Sequence, residues 1–265
     1  YAWEGVHPMP VWMWALPRAL PLHPGRFYCH TRMIYLCVSL LRSEQPQPGA
    51  GSLTRALRDE LYPGREYASL PFAAMRSEVS ALDRVSPEHP VLRAGYGLFA
   101  LAERVSKPTS FRALRAQLRE QVRFELRASD HLGLSPVSGL LGALALHQSN
   151  PRDPDVERVF TALERWVFED EANGARIPGA RSHTWDTAFA LRALHAARRA
   201  GGPVSDRDLD SARAALVAQQ IRSSLRGHAA NHRSDPRGGF CFSTREHGWP
   251  VSDCTAEALV ALLER

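Results

Sequence analysis

Residues 248–257 read Gly248-Trp249-Pro250-Val251-Ser252-Asp253-Cys254-Thr255-Ala256-Glu257, and the apolar run Ala258-Leu259-Val260-Ala261-Leu262-Leu263 follows without a break. Trp249 and Pro250 end whatever precedes them. Ser252 is a good N-cap, because its hydroxyl can accept from an early helix N–H. The stretch therefore predicts a helix opening at Ser252, with Asp253 and Cys254 side by side on its first turn, next to an aromatic ring. The charge state of Asp253 is open at this level: the helix dipole favours the carboxylate, and burial among apolar groups favours the neutral acid. Taken alone, an acid here is an ordinary first-turn residue.

The same helical texture runs outward from this point. Phe111, Leu114, Leu118, Val122 and Leu126 fall on one face of a helix, as do Val156, Val159, Phe160, Leu163, Trp166 and Val167. Leu209, Ala212, Leu216 and the residues to Ile221 form another helix, with Ser205 as its cap. Proline and glycine mark the joints, among them Pro46 to Gly51, Pro87 to Pro90, Asn150 to Pro154, Asn173 to Gly179 and Pro236 to Gly239. No run alternates with period two for long enough to predict a strand. The reading is all-α, an antiparallel array of modest helices joined by short turns.

At 265 residues and 44% apolar composition the chain can form one large domain or parts of two. It opens at Tyr1 and ends inside the helix that Asp253 starts, and is expected to be a fragment. No signal peptide is visible, and the longest mainly apolar run, Met33 to Leu41, is too short to span a bilayer. The net charge of +5 is almost all arginine, with Lys107 the only lysine. Arg115, Arg119, Glu120, Arg123, Glu125 and Arg127 interleave both signs, which reads as a solvated helix face and not as a nucleic-acid surface. Cys29, Cys37, Cys241 and Cys254 form no Cys-x-x-Cys pair, which argues against a disulfide framework or a structural zinc site.

The string Val251 to Glu257, preceded by Gly248-Trp249, resembles the signature of the oxidosqualene cyclases. Two more segments agree. His23-Pro24-Gly25-Arg26-Phe27-Tyr28-Cys29-His30-Thr31-Arg32-Met33-Ile34-Tyr35 is similar to the family's Trp-Cys-His-x-Arg-x-x-Tyr, and Ser182-His183-Thr184-Trp185-Asp186-Thr187-Ala188-Phe189 to its Ser-Gln-x-Trp-Asp-Thr-Ala-Phe. Weaker similarity runs through Leu57 to Tyr62 and Gly133 to Leu146.

The resemblance implies a fragment of an enzyme with two (α/α) barrels, residues 1–178 belonging to the first, inserted barrel and 179–265 starting the second, catalytic one. It implies conversion of (3S)-2,3-oxidosqualene to a cyclic triterpene alcohol such as lanosterol or cycloartenol, with no metal and no cofactor. Asp253 would be the general acid that opens the epoxide, oriented by Cys254. An epoxide oxygen is a poor base, so the donor must be a carboxylic acid kept protonated in a dry cavity. The cation that then migrates along the polyene needs aromatic faces, each worth up to about 2 kcal/mol when desolvated. Phe242, Trp185 and Tyr28 are the rings placed by the resemblance, Tyr28 standing where the family usually has Trp. His30 matches the histidine thought to steer late rearrangement or accept the final proton. Val251 and Gly179 lie at positions that bear on product choice, Gly179 where relatives carry Thr or Tyr. Gly238-Gly239-Phe240 is a degenerate match to the family's glycine–aromatic repeat. Pro90 to Leu101 aligns with the helix by which these enzymes dip into one membrane leaflet, which implies a monotopic protein on the cytoplasmic side; a buried core helix is the other reading of that segment.

Three rivals are weighed. Enzymes that protonate an olefin need Asp-x-Asp-Asp, and Asp153-Pro154-Asp155 and Asp206-Arg207-Asp208 lack the last acid. His228 and His232, four apart, could bind zinc if they lay on a helix. A non-catalytic helical array that binds lipids or proteins would have no use for the acid motif.

Overall fold

The computed structural model describes residues 2–47, 49, 51–87, 89–105 and 111–264. Among the described residues the α-helices are α1 Cys29–Glu44, α2 Ser52–Leu61, α3 Pro90–Val105, α4 Arg112–Ala128, α5 Pro136–His147, α6 Pro154–Glu164, α7 His183–Arg199, α8 Asp206–Ala218 and α9 Ser252–Leu263. The protein is mostly helical, as its periodicity predicts. One feature was not anticipated: a hairpin of β1 Phe168–Asp170 and β2 Gly174–Arg176, antiparallel, with Phe168 opposite Arg176 and Asp170 opposite Gly174. Three-residue strands are too short to show alternation, and the turn is made by Gly174 at φ +66° and by Asp170 Oδ1, which accepts from Asn173 N at 2.8 Å.

The chain divides into two compact units, residues 1–16 with 38–116 and residues 17–37 with 117–265. The boundary expected near Gly179 falls inside the second unit.

In the first unit, two 3₁₀ turns, Trp3–Gly5 and Val11–Ala15, bury Trp3, Val11, Met13 and Trp14. Trp14 Nε1 donates to Ser39 Oγ at 3.3 Å, and Trp3 Nε1 to the Pro46 carbonyl at 3.1 Å. The Arg42 guanidinium is buried with them; it donates to the Val6 carbonyl at 2.7 Å and pairs with Glu103 at 2.8 Å. Helix α3 lies mostly at the surface, with Val91 72%, Leu98 68% and Leu101 60% exposed, while Tyr96 stacks on His7 at 4.1 Å and Phe99 meets Trp12 edge-on at 6.1 Å. The buried-core reading of this segment is therefore corrected. No helix among the described residues is long and apolar enough to cross a membrane.

In the second unit, the predicted stripe of α4 buries Leu118, Val122 and Leu126. Helix α5 is apolar on all sides and is started by a capping box between Ser135 and Ser138, with Pro136 at its first position. It packs on α6 and approaches α4 closely: a Cβ on Gly142 would lie 3.1 Å from Leu126. Asp153 caps α6 by accepting from Asp155 N at 3.0 Å, and Val156, Val159 and Ala162 are buried. The predicted α6 stripe is too long. The helix ends at Glu164, Phe160 and Val167 are exposed, and Trp166 is buried beyond the helix end, its indole N–H donating to the Leu132 carbonyl at 3.1 Å.

Helix α7 packs on both α8 and α9. Small residues let them close: Ala188, Leu191, Leu209, Leu216, Phe240, Ala258 and Ala261 form one core. Helix α8 carries the expected cap, a capping box of Ser205 with Asp208. The face read as solvated on α4 is not uniformly so, because Glu125 is only 2% exposed.

Candidate active site

Three segments meet at the start of α9. The stretch from Gly239 to Ser243 runs between α7 and the approach to α9. On one side it is pinned to the α9 approach: Cys241 bridges Pro250, Val251 N donates to the Phe240 carbonyl at 3.0 Å, and Phe240 N donates to Thr255 Oγ1 at 3.0 Å. A Cβ on Gly239 would stand 2.6 Å from Pro250 Cβ, so this approach requires glycine. On the other side it caps α7, whose first N–H groups donate to the Ser243 carbonyl (Thr184, 3.0 Å) and the Phe242 carbonyl (Trp185, 3.4 Å). That backbone capping sets the Trp185 and Phe242 rings 6.0 Å apart, tilted by 41°, with Phe189 edge-on to Trp185 at 4.9 Å.

The helix at the opening motif forms where predicted, with one correction to its cap. Val251 holds the cap position, Ser252 is already inside the first turn, and no side chain caps from Val251. The carboxylate of Asp253 serves the turn instead, Oδ1 accepting from Cys254 N at 2.8 Å. Helix α9 turns Cys254, Ala258 and Ala261 into the core, which leaves Asp253 on the outer side, exposed. The dry enclosure expected around the acid is thus not formed by the described residues. Among them Asp253 has no ion-pair partner.

Cys254 is buried, and burial, followed by the Asp253 charge and hydrogen bond, pushes its thiol up to about 12. Tyr28 is 59% exposed as a residue, but burial of its hydroxyl, with Cys29, Asp253 and Cys254 beside it, raises its pKa to about 12. Its ring stacks on His30 with centroids 5.6 Å apart. Burial lowers the pKa of His30, and its Nδ1 lies 3.6 Å from Cys29 Sγ. Tyr28, His30, Phe242 and Val251 line one cavity of about 20 Å³, room for roughly one water. Four of the expected residues are brought together there, and Val251 among them directly precedes the helix that carries Asp253 and Cys254.

Gly179 is not part of this cluster. It lies in an exposed loop, and an added Cβ there would meet nothing within 4 Å among the described residues. His228 and His232 sit in a run of turns, not on a helix; His228 Nδ1 is occupied by Ser224 Oγ at 2.9 Å, and burial lowers His232 to about 4.

Three further groups belong to this neighbourhood, of which Arg181 and Glu125 were given no site role from the sequence. His247 shares the cavity, and burial first, then Arg233, holds its pKa at about 4. Arg181 lines the same cavity and places its guanidinium 5.1 Å over the Trp166 ring. Glu125 reaches in from α4 and pairs with Arg32 at 2.8 Å and with Arg233, all three buried. The last had a signal in the sequence: an acid beside Val122 and Leu126 faces the core.

The family described as Squalene-hopene cyclase N-terminal domain matches residues 1–172. The chain belongs to this cyclase family. Lanosterol synthase of Mus musculus is 31% identical over 266 residues, covering 99% of this chain and 36% of that protein. Cycloartenol synthase of Dictyostelium discoideum is 29% identical, with 99% and 37% covered, and protostadienol synthase A of Aspergillus fumigatus is 31% identical, with 100% and 36% covered. The chain thus spans little more than a third of the length of these cyclases. Their names carry three different products, so this degree of identity leaves the skeleton unassigned.

Proposed function

We propose that this chain supplies the proton-donating wall of an oxidosqualene cyclase, in which Asp253 protonates the epoxide of 2,3-oxidosqualene and the resulting cation closes into a cyclic triterpene alcohol. The observation that carries the reading is the junction at α9: a carboxyl group and a buried thiol on one helical turn, tied through Phe240–Ser243 to the Trp185–Phe242 ring pair.

The chemistry follows from the residues. The acid must hold its proton until the epoxide arrives, which needs water excluded from it. Covering Asp253 is a requirement of this mechanism, met by the bound lipid and by any further chain packed over the start of α9. Proton transfer to the oxygen breaks one C–O bond of the epoxide, the oxygen stays on the other carbon as a hydroxyl, and positive charge passes to the carbon released. Phe242 and Trp185 offer ring faces to that charge, and Cys254, too high in pKa to ionise at neutral pH, offers it no thiolate to react with. His30, kept neutral by burial, is suited to take the last proton. The exposed apolar side of α3, with Val91, Leu98 and Leu101, supports delivery of the lipid from one membrane leaflet. The two-barrel division of the family is adopted with this reading.

The test is to incubate the full-length protein with 2,3-oxidosqualene. The expected product is a cyclic alcohol of unchanged mass with altered chromatographic retention. Recovery of intact substrate, or of the ring-opened diol alone, would contradict the proposal.

A further inference from the structure

Glu125, Arg32 and Arg233 form a buried cluster with one negative and two positive charges, their side chains 1%, 3% and 6% exposed. Such a cluster is costly to bury, and apolar residues of the same size often serve stability as well or better. What the charges add is direction. Glu125 Oε1 accepts from Arg32 at 2.8 Å and Oε2 from Arg233 Nε at 3.0 Å, so one carboxylate orients both guanidinium planes. Other N–H groups of the two guanidiniums reach backbone carbonyls: Arg32 those of His232 at 2.8 Å and Asn231 at 3.1 Å, Arg233 that of Gly248 at 3.0 Å. His232 and Gly248 hold left-handed backbone, φ +58° and +56°, so both loops turn sharply where the arginines grip them.

The two guanidiniums also converge on one indole. Arg32 lies 4.4 Å and Arg233 4.0 Å from the ring centroid of Trp249. The backbone N–H of Trp249 in turn donates to Cys241 Sγ at 3.3 Å, and Pro250, Val251 and α9 follow it directly.

We propose that Glu125 is a positioning residue for the reaction: through Arg32 and Arg233 it fixes Trp249 and the approach to α9, and so sets where the Asp253 carboxyl is presented. The inference rests on the reading of Asp253 as the acid. Its consequence is a defect in the chemical step and not in lipid binding, because none of the three charged groups lines the cavity that Tyr28, His30 and Phe242 share.

The experiment is a double-mutant cycle in the full-length protein with 2,3-oxidosqualene, comparing Glu125→Gln, Trp249→Phe, the pair, and Asp253→Asn. Glu125→Gln is expected to lower kcat at least tenfold with KM within twofold, and the double variant to be no worse than the poorer single one, since both act through the same ring. A kcat within twofold of the parent in Glu125→Gln, or losses that multiply in the double variant, would overturn the proposal. If Glu125→Gln does not fold, Arg233→Lys decides by the same criterion, because it keeps the charge but loses the planar fork. Full turnover in Asp253→Asn would remove the underlying reading and this inference together. Loss there with an unchanged Glu125→Gln would remove the inference alone.

Discussion

Thr184 shows how a single side chain holds the site. It is fully buried, and its hydroxyl and N–H both donate to the Ser243 carbonyl, the N–H at 3.0 Å. Replacing it with Val removes one donor and keeps the shape. The expected cost is about 1–1.5 kcal/mol, read as a lowered Tm, together with reduced turnover as Phe242 loosens from Trp185. His30 makes a second residue-scale prediction. Its pKa is lowered by burial, which favours the neutral ring. If it accepts the last proton, the fall in kcat on the acid side should set in below pH 6.5 and disappear in His30→Gln, measured in a pH–rate profile. At this scale Asp253, Cys254, Val251, Tyr28, His30 and Trp185 were legible as candidates, because each lies in a string whose order is itself informative, while Phe242 was placed by its distance from the acid. Gly179 lies apart from them in the described structure, and the neighbours of such a loop position are not written in a sequence.

Among the elements, α8 and α9 contrast in how they begin. Ser205 and Asp208 cap α8 reciprocally, while α9 begins with no side-chain cap from Val251 and with Asp253 serving its first turn. Ser205→Ala is expected to cost about 1 kcal/mol of stability by thermal melting and to leave turnover unchanged, since α8 supplies no site residue. Periodicity recovered α4, α6 and α8 because each buries one stripe. It overran α6 because Trp166 is buried by the loop after the helix, which keeps the apolar rhythm going past the last turn. It also hid Glu125: interleaved charges on α4 look solvated until the arginines that reach it from elsewhere in the chain are seen. Helix α3 presents Val91, Leu98 and Leu101 outward. Changing Val91 and Leu98 to Glu should abolish flotation of the full-length protein with phosphatidylcholine vesicles, and flotation equal to the parent's would remove the membrane reading.

For the whole molecule, the buried histidine His247 couples stability to pH. Its pKa is about 4 in the folded state against 6.5 when unfolded. The unfolded chain therefore binds the proton first as pH falls, and stability contributed by the neutral ring is complete above pH 6.5 and lost as pH drops toward 4. The loss is on the order of 3 kcal/mol for this one group. Denaturant unfolding at pH 7 and pH 5 should show it, and His247→Gln should flatten the slope. The central claim is chemical and concerns one carboxyl group. Its most direct measurement is turnover of 2,3-oxidosqualene by full-length Asp253→Asn protein with helicity matched to the parent by circular dichroism. The account predicts no cyclic alcohol from that variant; cyclic alcohol formed at the parent's rate would contradict it.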